Sequence, residues 1–370
     1  MRKLVTAVGL VFILTLIGNA QIQKTSNNRV STDEDYEYTE RARVKRSVDE
    51  LLDKGMQLYG AGDYNGAATE FDAVVKLDPS VFAAHHNLGA VHIRLQDYDA
   101  AVKDFRNALA IDEHSVSAWH FLGFAFYNLK NLQEAMRCYL HALAIDPQSS
   151  VTWNNLGHTY LLLDKLEPAA DALNKAHALE PDSTETLNGL CVAYARLKQS
   201  EQAVSFCGRA SATKTSFAAV YYLGWSYLDQ KKYADAIRVL QDCVRMDPNK
   251  ANVYTALAEG YYHLSKYNDA LLQVQKAIQL NPDSSTAYSS LGFIYFQLKK
   301  PKDARRGFEK AISIQPDSAA ARYNLAMTCL ALKQKDCARE QYAILKTVDS
   351  GLSTQLLDQI YSSKVVRLMQ

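Results

Sequence analysis

From Val48 onward one pattern returns nine times at a spacing of 34 residues, shortened once to 33. A period of that length is stacked unit upon unit rather than folded around a single core. Its anchor is a leucine followed by glycine. Leu88-Gly89, Leu122-Gly123, Leu156-Gly157, Leu223-Gly224 and Leu291-Gly292 occupy one slot, which Leu257-Ala258 and Leu325-Ala326 fill with alanine. Three residues on stands His92, Phe126, Tyr160, Tyr194, Tyr227, Tyr261 or Tyr295, and three residues before the leucine come Trp119, Trp153, Tyr254 and Tyr288. Spacings of three and four put all of these on one helical face.

Nine residues after the aromatic comes a small residue in every copy, from Ala67 and Ala101 through Ala135 to Ala304 and Ala338. A second helix begins just before it and carries Phe71, Phe105, Tyr139, Leu173, Leu240, Phe308 and Tyr342 four residues later. Pro79, Pro147, Pro181, Pro248, Pro282 and Pro316 close it, because proline cannot continue a helix and restrains the residue before it.

These motifs resemble the tetratricopeptide repeat family from Val48 to about Ser350. The resemblance implies an all-α fold: a right-handed α-solenoid superhelix of nine helix-turn-helix repeats with a C-terminal capping helix. The repeats start near Val48, Phe82, Val116, Ser150, Thr184, Phe217, Ala251, Ser285 and Ala319. Glycine on the first helix and alanine on the second let the pair approach closely, while large residues fill the space beside them. The fifth repeat departs most, with Leu187 for the first aromatic, Cys191 for glycine and no closing proline near Thr213-Lys214-Thr215. A local irregularity is expected there, and this repeat should open first. Residues 354–370 carry Leu356, Leu357, Ile360, Tyr361, Val365 and Val366 at helical spacing and read as the cap over the last apolar face.

Residues 1–20 read as a secretory signal, with Arg2 and Lys3 ahead of an apolar run from Leu4 to Ile17 and small residues at Gly18-Asn19-Ala20. A mature chain from Gln21, periplasmic or secreted and not membrane-spanning, is expected. The run is shorter than the roughly 18–20 apolar residues that a spanning helix needs. Residues 21–47 are polar and charged and read as a disordered linker. With 41 basic against 40 acidic residues, no long-range field recruits nucleic acid or an anionic membrane.

No phosphate-cradling loop, nucleophile elbow or paired-cysteine zinc motif is present in the sequence, so neither catalysis nor a cofactor is expected. His86 and His120 share one repeat position and His158 projects nearby, but ligands must converge within about 2.0–2.1 Å of a zinc ion, and homologous positions in adjacent repeats lie too far apart. Of the six cysteines, Cys191 and Cys207 face each other across the fifth repeat. They are expected to be two buried thiols acting as small hydrophobes, with a disulfide as the alternative in an exported chain. Cys329 and Cys337 flank the turn of the ninth repeat as a weaker candidate pair.

The resemblance also implies that first helices line a concave groove where partners bind. Its inward positions map to Asn87, His120, Phe124, Tyr127, Asn154, Asn155, His158, Tyr221, Tyr222, Trp225, Tyr262, Phe293, Phe296, Tyr323 and Asn324, with His86, Arg94, Phe121 and Glu259 among them. Family members that clamp a terminal carboxylate use lysine and asparagine where this chain has His86, His120, Ala90 and Phe121, which argues against carboxylate capture. Asn87, Asn155 and Asn324 resemble an asparagine ladder for extended peptide backbone, since each amide offers a donor and an acceptor, though Phe121, Tyr222 and Ala256 interrupt it. About half of the rings are expected to be open to a ligand. Two functions remain: a protein-interaction scaffold holding a peptide or partner domain, and a sugar- or envelope-polymer-binding module using the same rings.

Overall fold

The computed structural model describes residues 33–213 and 216–361. The expected signal, the start of the linker, Lys214-Thr215 and the end of the expected cap lie outside the described residues. Those described form nineteen α-helices and no strand. The first helices of the repeats are α1 (Asp33–Ala61), α3 (Phe82–Leu95), α5 (Val116–Asn128), α7 (Ser150–Leu162) and α9 (Thr184–Arg196). They continue as α11 (Phe217–Asp229), α13 (Ala251–His263), α15 (Ser285–Gln297) and α17 (Ala319–Ala331). The second helices are α2 (Tyr64–Leu77), α4 (Tyr98–Ile111), α6 (Leu132–Ile145), α8 (Leu166–Leu179) and α10 (Ser200–Thr213). After these come α12 (Tyr233–Met246), α14 (Tyr267–Leu280), α16 (Pro301–Ile314) and α18 (Lys335–Val348), and α19 (Ser350–Tyr361) follows the last pair.

The linker expected over 21–47 is corrected in part, because α1 is helical from Asp33. Ion pairs of Arg41 with Glu37 at 3.3 Å and Arg43 with Glu40 at 3.4 Å lie along its exposed side. Pairs at these spacings are worth about 0.2–0.5 kcal/mol each on a helix. Val44 and Val48 then anchor the extension on Val74, Val75, Val81 and Ala84. Charge that reads as disorder in the sequence is the solvent face of a helix whose other stripe finds a neighbour.

Each helix packs on the one before and the one after it, and successive first helices also touch, α1 with α3 and onward to α13 with α15. That extra contact places the first helices on the inside of the curve. Between the helices of a pair, the glycine slot meets the large residue sixteen positions later. A Cβ added at Gly89 would stand 2.7 Å from the Phe105 ring, at Gly123 2.8 Å from Tyr139, and at Gly292 2.7 Å from Phe308. Only a residue without a side chain lets these rings lie flat against the first helix.

In the fifth repeat the same two slots hold Cys191 and Cys207, and they are bonded to each other, with Cα atoms 4.6 Å apart. The expectation of two separate thiols is thereby corrected. A glycine and a ring are replaced by two small residues whose sulfurs span the gap. Cys329 and Cys337 are likewise bonded across the turn of the ninth repeat, and Cys138 and Cys243 are free and buried.

The turn between the helices of a repeat needs one residue in the left-handed region. Gly62 takes it in the first repeat at φ 85°, but Gln96, Lys130, Asp164, Lys198, Lys231, Ser265, Lys299 and Lys333 take it afterwards at φ 58–63°. Side chains there are disfavoured by about 1–2 kcal/mol. Asp63, Asp97 and Asn131 cap the second helices of repeats one to three through their side chains. Lys165, Lys232, Lys266 and Lys300 hold that place later and make no side-chain cap bond, a loss of about 1 kcal/mol each.

Candidate binding groove

Where successive first helices line the inner wall, their aromatic residues form two runs of ring contacts. On α11, Tyr221 meets Tyr222 edge-on at 5.4 Å, and Tyr222 meets Trp225 at 6.4 Å. On the next two helices of the wall, Tyr262 of α13 meets Phe293 of α15 at 6.5 Å. The Tyr262 hydroxyl accepts a hydrogen bond from Gln297 Nε2 at 3.2 Å. Phe293 is 40% exposed, whereas Tyr221, Tyr222, Trp225 and Tyr262 are half-buried against the core of repeats five to eight.

Two carboxylates accompany the rings. Desolvation raises the pKa of Asp229, against which Lys198 acts. Desolvation also raises that of Glu259, with His263 opposing and Asp229 adding to the rise. Glu259 is exposed in area yet hemmed by the walls of the groove, so water solvates it less well than on a convex surface. Sequence reasoning missed Asp229, which stands at the repeat position of Arg196 and His263 and carries no motif of its own.

The family described as the cilia and flagella-associated protein 70 C-terminal domain matches residues 43–287, and a tetratricopeptide repeat matches residues 285–318. The chain belongs to this tetratricopeptide-repeat family. No curated protein matches the sequence. Among solved structures, the APC/C hetero-tetramer Cut9-Hcn1 is similar at TM-score 0.52 and 14% identity, covering 85% of this chain and 96% of that one. PilF of Pseudomonas aeruginosa is similar at TM-score 0.48 and 19% identity over 57% of this chain and 96% of that one. MamA follows at 0.40 and 20% over 52% and 96%.

Over repeats two to four of this tetratricopeptide solenoid, the residues expected in the groove are half-buried, and several of them also bond across the joints between repeats. His120 Nδ1 lies 2.8 Å from Thr152 Oγ1, and burial pushes its pKa down to about 4. Burial likewise lowers His158, against hydrogen bonding and charge at Glu185. His86 is lowered by burial among Phe82, Phe105 and Phe121, and its Nε2 has no partner. Asn154 accepts from Thr186 Oγ1 at 3.1 Å, across the same joint as His158. Asn324 donates to Ala320 O at 2.7 Å within its own helix. Phe124 and Tyr127 pack on the core of repeats two to four, and Phe296 and Tyr323 on that of the last two repeats. Asn87 and Asn155 are half-buried and offer amides to the wall. Phe121, Tyr222 and Ala256 interrupt the asparagine ladder as expected from the sequence, and over repeats six to eight the wall is carried by the rings of Tyr221, Tyr222, Trp225, Tyr262 and Phe293.

Proposed function

We propose that this chain is a non-enzymatic scaffold whose inner wall holds an extended segment of a partner protein, anchored over repeats six to eight. One observation carries the reading: Tyr221, Tyr222 and Trp225 on one helix, with Tyr262 and Phe293 on the next two, give rings at a spacing that an extended chain can follow. Truncating a central aromatic anchor costs about 2–4 kcal/mol of binding, a loss of roughly 30-fold to 1,000-fold. Tyr222→Ala with Trp225→Ala should lower capture of a partner identified by crosslinking and mass spectrometry by that order, with the melting temperature little changed. Undiminished capture by the folded double variant would exclude this patch, and selective retention on cell-wall glycans would favour the polymer-binding reading.

We further place the chain in an exporting pathway, on the signal-like first 20 residues and two cysteine pairs within bonding distance. N-terminal sequencing of the native protein should begin at Gln21. A chain that retains residues 1–20 would refute cleavage.

A further inference from the structure

The two edges of the solenoid carry opposite charge, although the chain holds 41 basic and 40 acidic residues in all. Turns that lead from a second helix to the next repeat begin with Asp78, Asp112, Asp146, Glu180 or Asp247. Turns within a repeat lie on the other edge. From the fifth repeat onward they present Lys198, Lys231-Lys232, Lys266, Lys299-Lys300 and Lys333, all exposed. Asp235, Asp303 and Asp336 in the following helical turn pair with Arg238 at 3.6 Å, Arg306 at 3.5 Å and Arg339 at 3.2 Å, so each of these carboxylates is matched by an arginine of its own helix and the turns keep a net positive charge. Asp269 at the same slot has no such arginine, and Lys198 also faces Asp229.

These lysines stand where the backbone prefers something else. Lys198, Lys231, Lys299 and Lys333 occupy left-handed positions that suit glycine or asparagine. Lys232, Lys266 and Lys300 sit at helix N-termini, where the dipole opposes a cation and the first three repeats use Asp63, Asp97 and Asn131. Local rules broken repeatedly, in one direction and along one edge, are expected where binding sets the sequence.

We propose that the lysine edge of repeats five to nine docks an acidic, extended stretch of a partner polypeptide, on a surface separate from the ring patch. Successive repeats of a solenoid rotate against one another, so their turns do not stay in one plane, which disfavours a flat membrane. These turns carry no arginine, and the neighbouring Tyr233 and Tyr267 rings already engage His263 at 4.6 Å and Tyr262 at 5.7 Å, which disfavours stacking by a base or sugar. Packed helices stand about 8–10 Å apart, and an extended peptide advances about 3.3–3.6 Å per residue. One acidic side chain in three would therefore meet one turn.

The probe is a labelled peptide of about 15 residues with glutamate at every third position, a length that spans five turns. Anisotropy with the full chain should show binding that weakens as salt rises from about 50 to about 300 mM, because exposed pairs are screened. The variant Lys231→Asn, Lys232→Asn, Lys266→Asn, Lys300→Asn should bind about tenfold or more weakly. Its melting temperature should hold or rise, since asparagine accepts the left-handed turn and caps a helix. Tyr222→Ala with Trp225→Ala should bind the peptide unchanged, so failure of the groove reading and failure of this one give different results. Undiminished peptide binding by the asparagine variant would overturn the proposal, as would tighter binding of duplex DNA, an acidic glycan or anionic lipid vesicles than of the peptide.

Discussion

Ala135 has no exposed surface, and with Ala101, Ala169, Ala203, Ala236, Ala270 and Ala304 it sets how closely the two helices of a repeat approach. Each sits four residues before the side chain that fills the glycine slot, so a larger group would pry open the same contact. Overpacking of this kind costs about 1–3 kcal/mol. Ala135→Leu should lower the melting temperature while Ala135→Ser does so far less. An unchanged melting temperature for the leucine variant would place Ala135 outside that contact. The sequence alone identified these alanines because the requirement is local and repeats nine times. It could not decide whether His120 faces the groove, since that depends on Thr152 in the next repeat, 2.8 Å away.

At the scale of one element, the fifth repeat shows how a departure from the pattern is compensated. It lacks the glycine, the ring and the closing proline, and it reads as the weakest unit. The Cys191–Cys207 bridge joins α9 to α10 at the point where the missing pair would have packed. Closing a loop of about 15 residues stabilises a fold by about 3 kcal/mol in the chain-entropy account. Cys191→Ser with Cys207→Ser should therefore loosen residues 184–210 before their neighbours, read by hydrogen exchange. Thiol titration of the denatured native protein should find two groups without reductant and six with it, because Cys138 and Cys243 are free. Six thiols without reductant would dismiss both bridges.

Across the whole molecule, stability is distributed rather than held in one core, so a change in conditions acts on particular repeats. His86, His120 and His158 lie in repeats two, three and four, and burial lowers the pKa of each. An unfolded histidine takes up its proton near about 6.5, whereas His120 in the fold does so near about 4. Between those values the unfolded chain binds more protons, so stability is lost as pH falls through that window. His92 works in the opposite sense, because its bond to Asp104 at 2.6 Å raises its pKa, and so do Asp229 and Glu259. The wild type should melt lower at pH 5 than at pH 7, and His120→Gln should flatten that slope. An equal slope in the variant would show that His120 contributes nothing to it.

The period, the two helices in each unit and the glycine and alanine contacts between them follow from the sequence alone, since each rests on residues less than one repeat apart. The helical continuation of residues 33–47, the bridge at Cys191 and the contact of His120 with the next repeat were decided by tertiary structure. In each case a residue gains its meaning from a partner on another helix: Val44 from the cluster around Val74 and Ala84, Cys191 from Cys207, His120 from Thr152. The groove rings follow the same rule. Their positions are periodic and legible, but exposure depends on how far one repeat turns against the next, which leaves Phe293 open and the other rings half covered.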